Sequence, residues 1–468
     1  MRLQLVALLN SMKKINLLFF IICAILFSCK NEKEKTITFS NDIAPIIYKN
    51  CTPCHRPNSA GPFSLITYDD VRKKAKTIVK VTQSGFMPPW PADPNYSSFV
   101  GERMLTEKEK EMLLTWVENG SPIGDSTNIP IPPNFPEGSQ IGVPDMVVKF
   151  PEVIQLPGNN KDQFFLMKIP FEADHDKFIR TIEFIPGNKK LLHHMNANLI
   201  QYTAGNKTDL FAGEKVIPTD LTLTAEEVNN RMQNKNDDGT YPSLIPLVCN
   251  YLPGVSPAVY PKGIGGYRLT TLNAFFINDI HYGPSPVDTI DDGSYFNIFL
   301  TDVPPQRPTY EIVMGSLGET RIEPPLVIPA GAIMTFRTEY KVQADLSMLT
   351  VNPHMHLLGK SFIAYAVTPQ NDTIPLVSIP KWDFRWQYFY TFKKVQKIPA
   401  SSRIIAEATY DNTEYNPNNP YNPPQVIIER SNPFESMKTT NEMFQFIFTY
   451  MSYQTGDENI SLENISLE

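Results

Sequence analysis

Proline limits this chain more than any other residue: it fills 42 of the 468 positions. Its ring fixes φ and removes a backbone donor, so it ends helices and is confined in sheets to edges and bulges. At that density the chain should be built mainly of short strands and turns. Its length exceeds what one core serves, so several domains are expected. The formal charge of −7 is mild and basic residues form no long run, which argues against nucleic acid as a partner.

The opening residues read as a processing signal rather than as fold. Met12-Lys13-Lys14 is a basic start, Leu17 to Phe27 is almost wholly apolar, and Leu26-Phe27-Ser28-Cys29 has the form of a bacterial lipobox. The apolar run is too short to cross a bilayer, and the charged stretch Lys30 to Lys35 argues against a core helix. Residues 1–29 are therefore expected to be a lipoprotein signal peptide ending at a lipidated Cys29. Several acyl chains there would anchor the protein to a membrane, facing the periplasm or the cell surface. Of five cysteines, Cys23 lies in that signal, Cys51 and Cys54 form a C-x-x-C pair, and Cys249 stands alone. An exported chain could use disulfides, but few thiols remain to make them.

Three blocks follow. Residues 37–125 carry the helical signals: an amphipathic stretch from Asp69 to Thr82, and another opening at Thr106-Glu107 and stopping at Asn119-Gly120. Residues 126–143, with Ile129-Pro130-Ile131-Pro132-Pro133, read as a linker. Beyond Pro144 the period changes to two. Phe178, Arg180, Ile182 and Phe184 alternate with Ile179, Thr181, Glu183 and Ile185, and Pro186-Gly187-Asn188 supplies a turn. Val303-Pro304-Pro305 marks a boundary before further strands such as Ile333 to Val342 and Ser361 to Val367. The expectation is a multidomain protein: a small all-α domain, then two all-β sandwich domains, jelly-roll-like, over 144–302 and 308–455. The tail repeats Asn-Ile-Ser-Leu-Glu from Asn459 and Asn464, a feature with no functional reading.

Cys51-Thr52-Pro53-Cys54-His55 is a C-x-x-C-H sequence. Two thiols at that spacing can add to haem vinyl groups, and the next residue places an imidazole on the iron. A thioredoxin-like redox pair or half a zinc site are the rivals. No second C-x-x-C and no surrounding βαβ pattern support them. Met87, in Gly85-Phe86-Met87-Pro88-Pro89-Trp90, is the candidate second axial ligand, with Met104 and Met112 as alternatives. Residues 37–125 thus resemble a class I cytochrome c domain, which implies one covalent haem c and an electron-transfer role.

Only seven histidines occur: His55, His175, His193, His194, His281, His354 and His356. His354-Met355-His356 places two imidazoles on one face of a strand, so both can reach one metal. His193-His194 is harder. Adjacent strand residues face opposite ways, and only a strand end or bulge lets both serve one metal. His175, between Asp174 and Asp176, is expected on an exposed loop.

Leu192-His193-His194-Met195, Ile280-His281-Tyr282-Gly283, His354-Met355-His356-Leu357-Leu358-Gly359-Lys360 and Asn441-Glu442-Met443 occur in that order. Over roughly 145–452 the chain resembles the copper type II, ascorbate-dependent monooxygenases, the family of peptidylglycine α-hydroxylating monooxygenase and dopamine β-monooxygenase. The resemblance implies two coppers. His193, His194 and His281 would hold the electron-transfer copper. His354, His356 and Met443 would hold the oxygen-binding, catalytic one; a thioether suits Cu(I). It also implies hydroxylation of a C–H bond in a small organic substrate by O2. Domain order adds the expectation that the fused haem, fed by an external electron donor, supplies the electrons. The family's carboxylate clamp is missing: Asn352, Gln445 and Ile447 stand at its positions, and Asp279 stands where the peptide enzyme has glutamine. A peptide ending in glycine is thus not the expected substrate. A haem and copper electron-transfer or copper-binding lipoprotein without oxygenase turnover is the competing reading.

Overall fold

A computed structural model describes residues 36–136, 138–174, 177–219, 223–255, 257–429 and 440–465. The expected signal segment with Cys29, and His175, lie outside the described residues. The chain is mostly β with several sheets, as proline and the period-two segments led one to expect.

Helices concentrate before residue 120. Ala44–Asn50 follows a short π-helical turn, and Tyr68–Gln83 and Glu107–Glu118 each begin in a capping box, from Thr67 with Asp70 and from Thr106 with Glu109. Each box satisfies end N–H groups that the helix itself leaves bare. Val71, Ala75, Ile78 and Thr82 form the buried stripe of the second, the helix expected from Asp69 to Thr82. They pack with Phe39, Ile47, Leu113 and Trp116 into one core.

That core does not take in the whole segment. Ala92 and Phe99 belong to the core of the second β unit, and Phe99 is fully buried between Tyr390 and Phe392. Backbone bonds Asp93 N–H to Ser378 O (2.8 Å) and Val100 N–H to Thr391 O (2.8 Å) tie the loop there. The loop carries too few apolar residues to close over itself and borrows a neighbour's core.

The first β unit has two sheets. Met146–Lys149, Tyr295–Thr301, Lys177–Ile185 and Tyr267–Leu269 form one; Val216–Pro218, Gln163–Glu172, Leu272–Tyr282, Leu192–Tyr202 and Ser243–Tyr251 form the other. Their inner faces meet in one core, with Phe275 stacked on Phe296 at 4.1 Å. In Lys177–Ile185 the expected alternation fades, because from Thr181 onward both faces are covered. Thr181 donates to the Ala258 carbonyl, and Glu183 accepts from Gln140 N–H and Asn297. The proline-rich segment before Pro144 therefore lies across this sheet.

The second unit pairs Tyr310–Gly315, Phe444–Ser452, Leu346–Met355 and Tyr390–Ile398 in one sheet. The facing sheet is Ile322–Glu323, Ile333–Lys341, Arg403–Asp411, Gly359–Val367 and Thr373–Ile379. Phe362 crosses from one sheet to meet Phe444 and Phe446 of the other. Aromatic contacts of this kind add to area burial in holding sheets together.

Candidate metal centres

Leu192–Tyr202 and Leu272–Tyr282 are antiparallel neighbours, with His194 opposite His281 and Leu192 opposite Tyr282. The register shifts between Leu192 and His194, so His193 is the extra residue of a β-bulge. A bulge re-aims one side chain and breaks the strict up-down alternation. This lets adjacent histidines share a side.

Three imidazoles meet there. His193, His194 and His281 each offer a ligand atom within 4.8 Å of the others. The Nδ1 atoms of His193 and His194 stand 3.2 Å apart. His194 Nε2 faces Asp279 Oδ2 at 2.8 Å, and His281 Nε2 faces Asp162 Oδ1 at 2.7 Å. With Nε2–H donated to a carboxylate, each Nδ1 lone pair is left to ligate. His281 Nδ1 is buried and has no hydrogen-bond partner among the described residues. Phe164, the cross-strand partner of His281, stacks on its ring at 4.3 Å.

The electrostatics agree. Burial, then the neighbouring imidazoles, pushes His193 down to about 3, so its ring is neutral at ordinary pH. Burial lowers His281 too, despite Asp162. Burial alone would raise Asp279, but the charge and hydrogen bond of His194 outweigh it and hold the carboxyl below its ordinary range. The hydrogen bond from His281 does the same for Asp162. Nitrogens at about 2.0–2.1 Å from a tetrahedral metal stand roughly 3.3 Å apart, and the facing lone pairs of His193 and His194 fit such an ion.

The second cluster is built on Leu346–Met355 and the turn after it. His354 and His356 project from one side, ring centroids 5.1 Å apart. His356 Nδ1 lies 2.7 Å from the Asn441 carbonyl, so Nε2 is its outward atom. Glu442 accepts from His356 N–H at 2.9 Å and Leu358 N–H at 2.7 Å, which pins the turn. Met443 is buried immediately before the strand Phe444–Ser452, which pairs His354 with Gln445 and Met355 with Phe444. The Tyr410 hydroxyl holds the Met443 carbonyl at 2.7 Å. Desolvation and His356 push His354 down to about 3. Gln445 donates to the Ser316 carbonyl, and Asn352 donates to that of Tyr388.

His194 and Asp279 from the first unit line the same cavity as His354 and His356 from the second, with Phe164, Phe384 and Phe389 among its apolar walls. Tyr251 also lines it, and its cross-strand partner is Met195, next to His194.

In the C-x-x-C-H segment, Cys51, Cys54 and His55 follow the helix Ala44–Asn50 in a tight turn, with His55 N–H donating to the Cys51 carbonyl at 2.9 Å. Cys51 and Cys54 are not disulfide-bonded to each other. Burial pushes Cys51 up to about 12 and raises Cys54 in spite of Arg103 and Arg56. His55 Nδ1 bonds the Phe63 carbonyl at 3.1 Å, leaving Nε2 for an axial bond. Gly61 is obligatory here: a Cβ on it would lie 2.7 Å from the Cys54 carbonyl and 2.8 Å from His55 Nδ1. Half-buried Met87 donates its N–H to the Val81 carbonyl, while Phe86 lies under Arg385 and the Pro89 carbonyl accepts from Tyr388. Met104 is exposed, and Met112 packs on the helical core. The other face of the motif meets the first β unit, where a Cβ on Gly254 would come within 2.6 Å of Cys54 Sγ.

Sequence reasoning missed Asp162, Phe164, Tyr251 and Gly254. Only strand pairing and docking bring them to the sites, and no local motif marks them.

No protein-family model matches this chain, and no curated protein does. Solved structures similar to it include those of the infectious bursal disease virus Gt strain, at 9% identity over 70% of this chain and 77% of that chain, TM-score 0.16. The Gx strain is similar at 10% identity over 70% and 76%, TM-score 0.17. Likeness at that level carries no inference about fold or function.

Proposed function

We propose that this chain is a copper-dependent monooxygenase fed with electrons through a covalently attached c-type haem, exported and anchored by lipid on Cys29. The observation that carries the reading is the cavity shared by two histidine clusters, since His194 and His354 come from different β units. The donor sets fit the metals. Three imidazoles suit copper in either oxidation state, and His354 and His356 with a thioether suit Cu(I). The overall change is R–H + O2 + two electrons + two protons to R–OH + water.

Copper at these sites supplies oxygen activation and one electron per ion. The chain's own residues do the rest. His193, His194 and His281 hold one ion, with Asp279 and Asp162 orienting the last two. His354, His356 and Met443 hold the other, on a turn fixed by Glu442. Phe164, Phe384 and Phe389 give the cavity its apolar walls. Cys51 and Cys54 would carry the haem with His55 Nε2 on the iron, and Met87 is the proposed second ligand. Close approach of Cys54 to Gly254, shortly after Tyr251, supports electron delivery within the chain.

The test is metal content of protein lacking residues 1–29, matured for haem and reconstituted with copper. Two coppers per haem are expected, one lost with His354→Ala and the other with His193→Ala. One copper or none refutes the reading. Oxygen uptake that depends on an added organic substrate separates the oxygenase from an electron relay.

A further inference from the structure

The two histidine clusters are held from behind by different chemistry. In the first, two of the three rings rest on carboxylates: His194 on Asp279 and His281 on Asp162, at 2.8 and 2.7 Å. In the second, His356 rests on the backbone carbonyl of Asn441 at 2.7 Å. Glu442, the acid nearest that turn, accepts backbone N–H groups at 2.9 and 2.7 Å rather than a ring. The two carboxylates differ in setting. Asp279 is 4% exposed and reaches His194 across paired strands; Asp162 stands before Gln163–Glu172 and is half exposed.

Resting on the copper reading above, we propose that Asp162 and Asp279 are positioning residues that bias the His193, His194 and His281 site toward oxidised copper, making it the electron donor of the pair. A carboxylate accepting the Nε2 proton draws that proton toward itself, and the ring's other nitrogen becomes a stronger donor. Stronger donation favours the ion of higher charge. Giving up one electron turns Cu(I) into Cu(II) at this site, and two nearby negative charges stabilise the product. The electron is accepted by copper held by His354, His356 and Met443, where a neutral carbonyl and a thioether favour Cu(I). The direction of flow is thereby built into what lies behind the ligands.

The test uses the full mature chain and the variants Asp279→Asn and Asp162→Asn, each close in shape to the native side chain. Cu(II) and Cu(I) affinities of the site are measured by chelator competition, and its potential by titration followed by electron paramagnetic resonance. Loss of a partner behind a ligand typically costs 10- to 100-fold in metal affinity. The expected result is a loss falling mainly on Cu(II), about tenfold more than on Cu(I), which raises the potential by about 59 mV for one electron. Asp162→Asn should leave the potential of the His354 site unmoved, and Asp279→Asn should shift it less than that of the His193 site, because Asp279 lines the same cavity as His354. Equal loss of both oxidation states, with the potential unmoved, would reduce the carboxylates to structural props and overturn the inference alone. Should Asp279→Asn not fold, the half-exposed Asp162→Asn still decides. A wild-type chain that binds no copper at His193 would overturn the metal reading and this inference together.

Discussion

Tyr282→Phe tests how the strand carrying His281 is anchored. Tyr282 is fully buried at the end of Leu272–Tyr282, where it pairs with Gln163 on one side and Leu192 on the other. Its hydroxyl donates to Asp291 Oδ2 at 2.9 Å, and Asp291 is 1% exposed. The remaining donors to Asp291 are Ser294 N–H, Ser294 Oγ and Gly293 N–H, at 3.1, 2.6 and 3.2 Å. Phenylalanine keeps the ring and opens no cavity, so the change isolates one hydrogen bond to a buried carboxyl group. Such a bond contributes about 1.5–3 kcal/mol. The first β unit should lose that much in denaturant unfolding of the metal-free chain. The strand end that carries His281 loosens with it, so copper affinity at His193, His194 and His281 should fall while that at His354 and His356 holds. In an Asp291→Asn background the same substitution should cost less, because the pair is coupled. A loss below about 0.5 kcal/mol, the level of an ordinary surface change, would refute the anchoring argument. So would a loss undiminished in the Asp291→Asn background.

Two more outcomes follow from burial. Glu311 is raised to about 7 by desolvation, against a hydrogen bond from Thr449. Its contribution to stability is therefore complete below its unfolded value near 4.5 and is lost as pH rises through 7, a change of roughly 3 kcal/mol. Unfolding midpoints at pH 4.5 and 7.5 should differ in that sense, and Glu311→Gln should flatten the difference. Phe99→Ala empties the place between Tyr390 and Phe392, at a cost of about 3–5 kcal/mol. The 93–102 loop should then be cut readily in limited proteolysis, and an uncut loop would show that its backbone bonds suffice.

What local sequence determined about this protein is what local geometry controls. Capping residues and apolar spacing located the helices Tyr68–Gln83 and Glu107–Glu118, because end N–H groups and one buried face are settled within a few residues. Alternation located strands such as Ile333–Lys341 and Gly359–Val367; the rings of His354 and His356 do come within 5.1 Å, but His356 lies just past the end of Leu346–Met355, so the turn rather than alternation places it. His193 and His194 were beyond it. Whether two neighbours share a side depends on a bulge, and a bulge is defined only against the partner strand, here the one bearing His281. Asp162 lies far from His281 in sequence and reaches its ring through the pairing of Gln163–Glu172 with Leu272–Tyr282. The cavity between His194 and His354, the docking of Phe99 in another unit's core, and Cys54 against Gly254 were decided later still. Those contacts arise when finished sheets bury what apolar surface remains. That choice depends on the shapes of whole units, and no stretch of sequence encodes it locally.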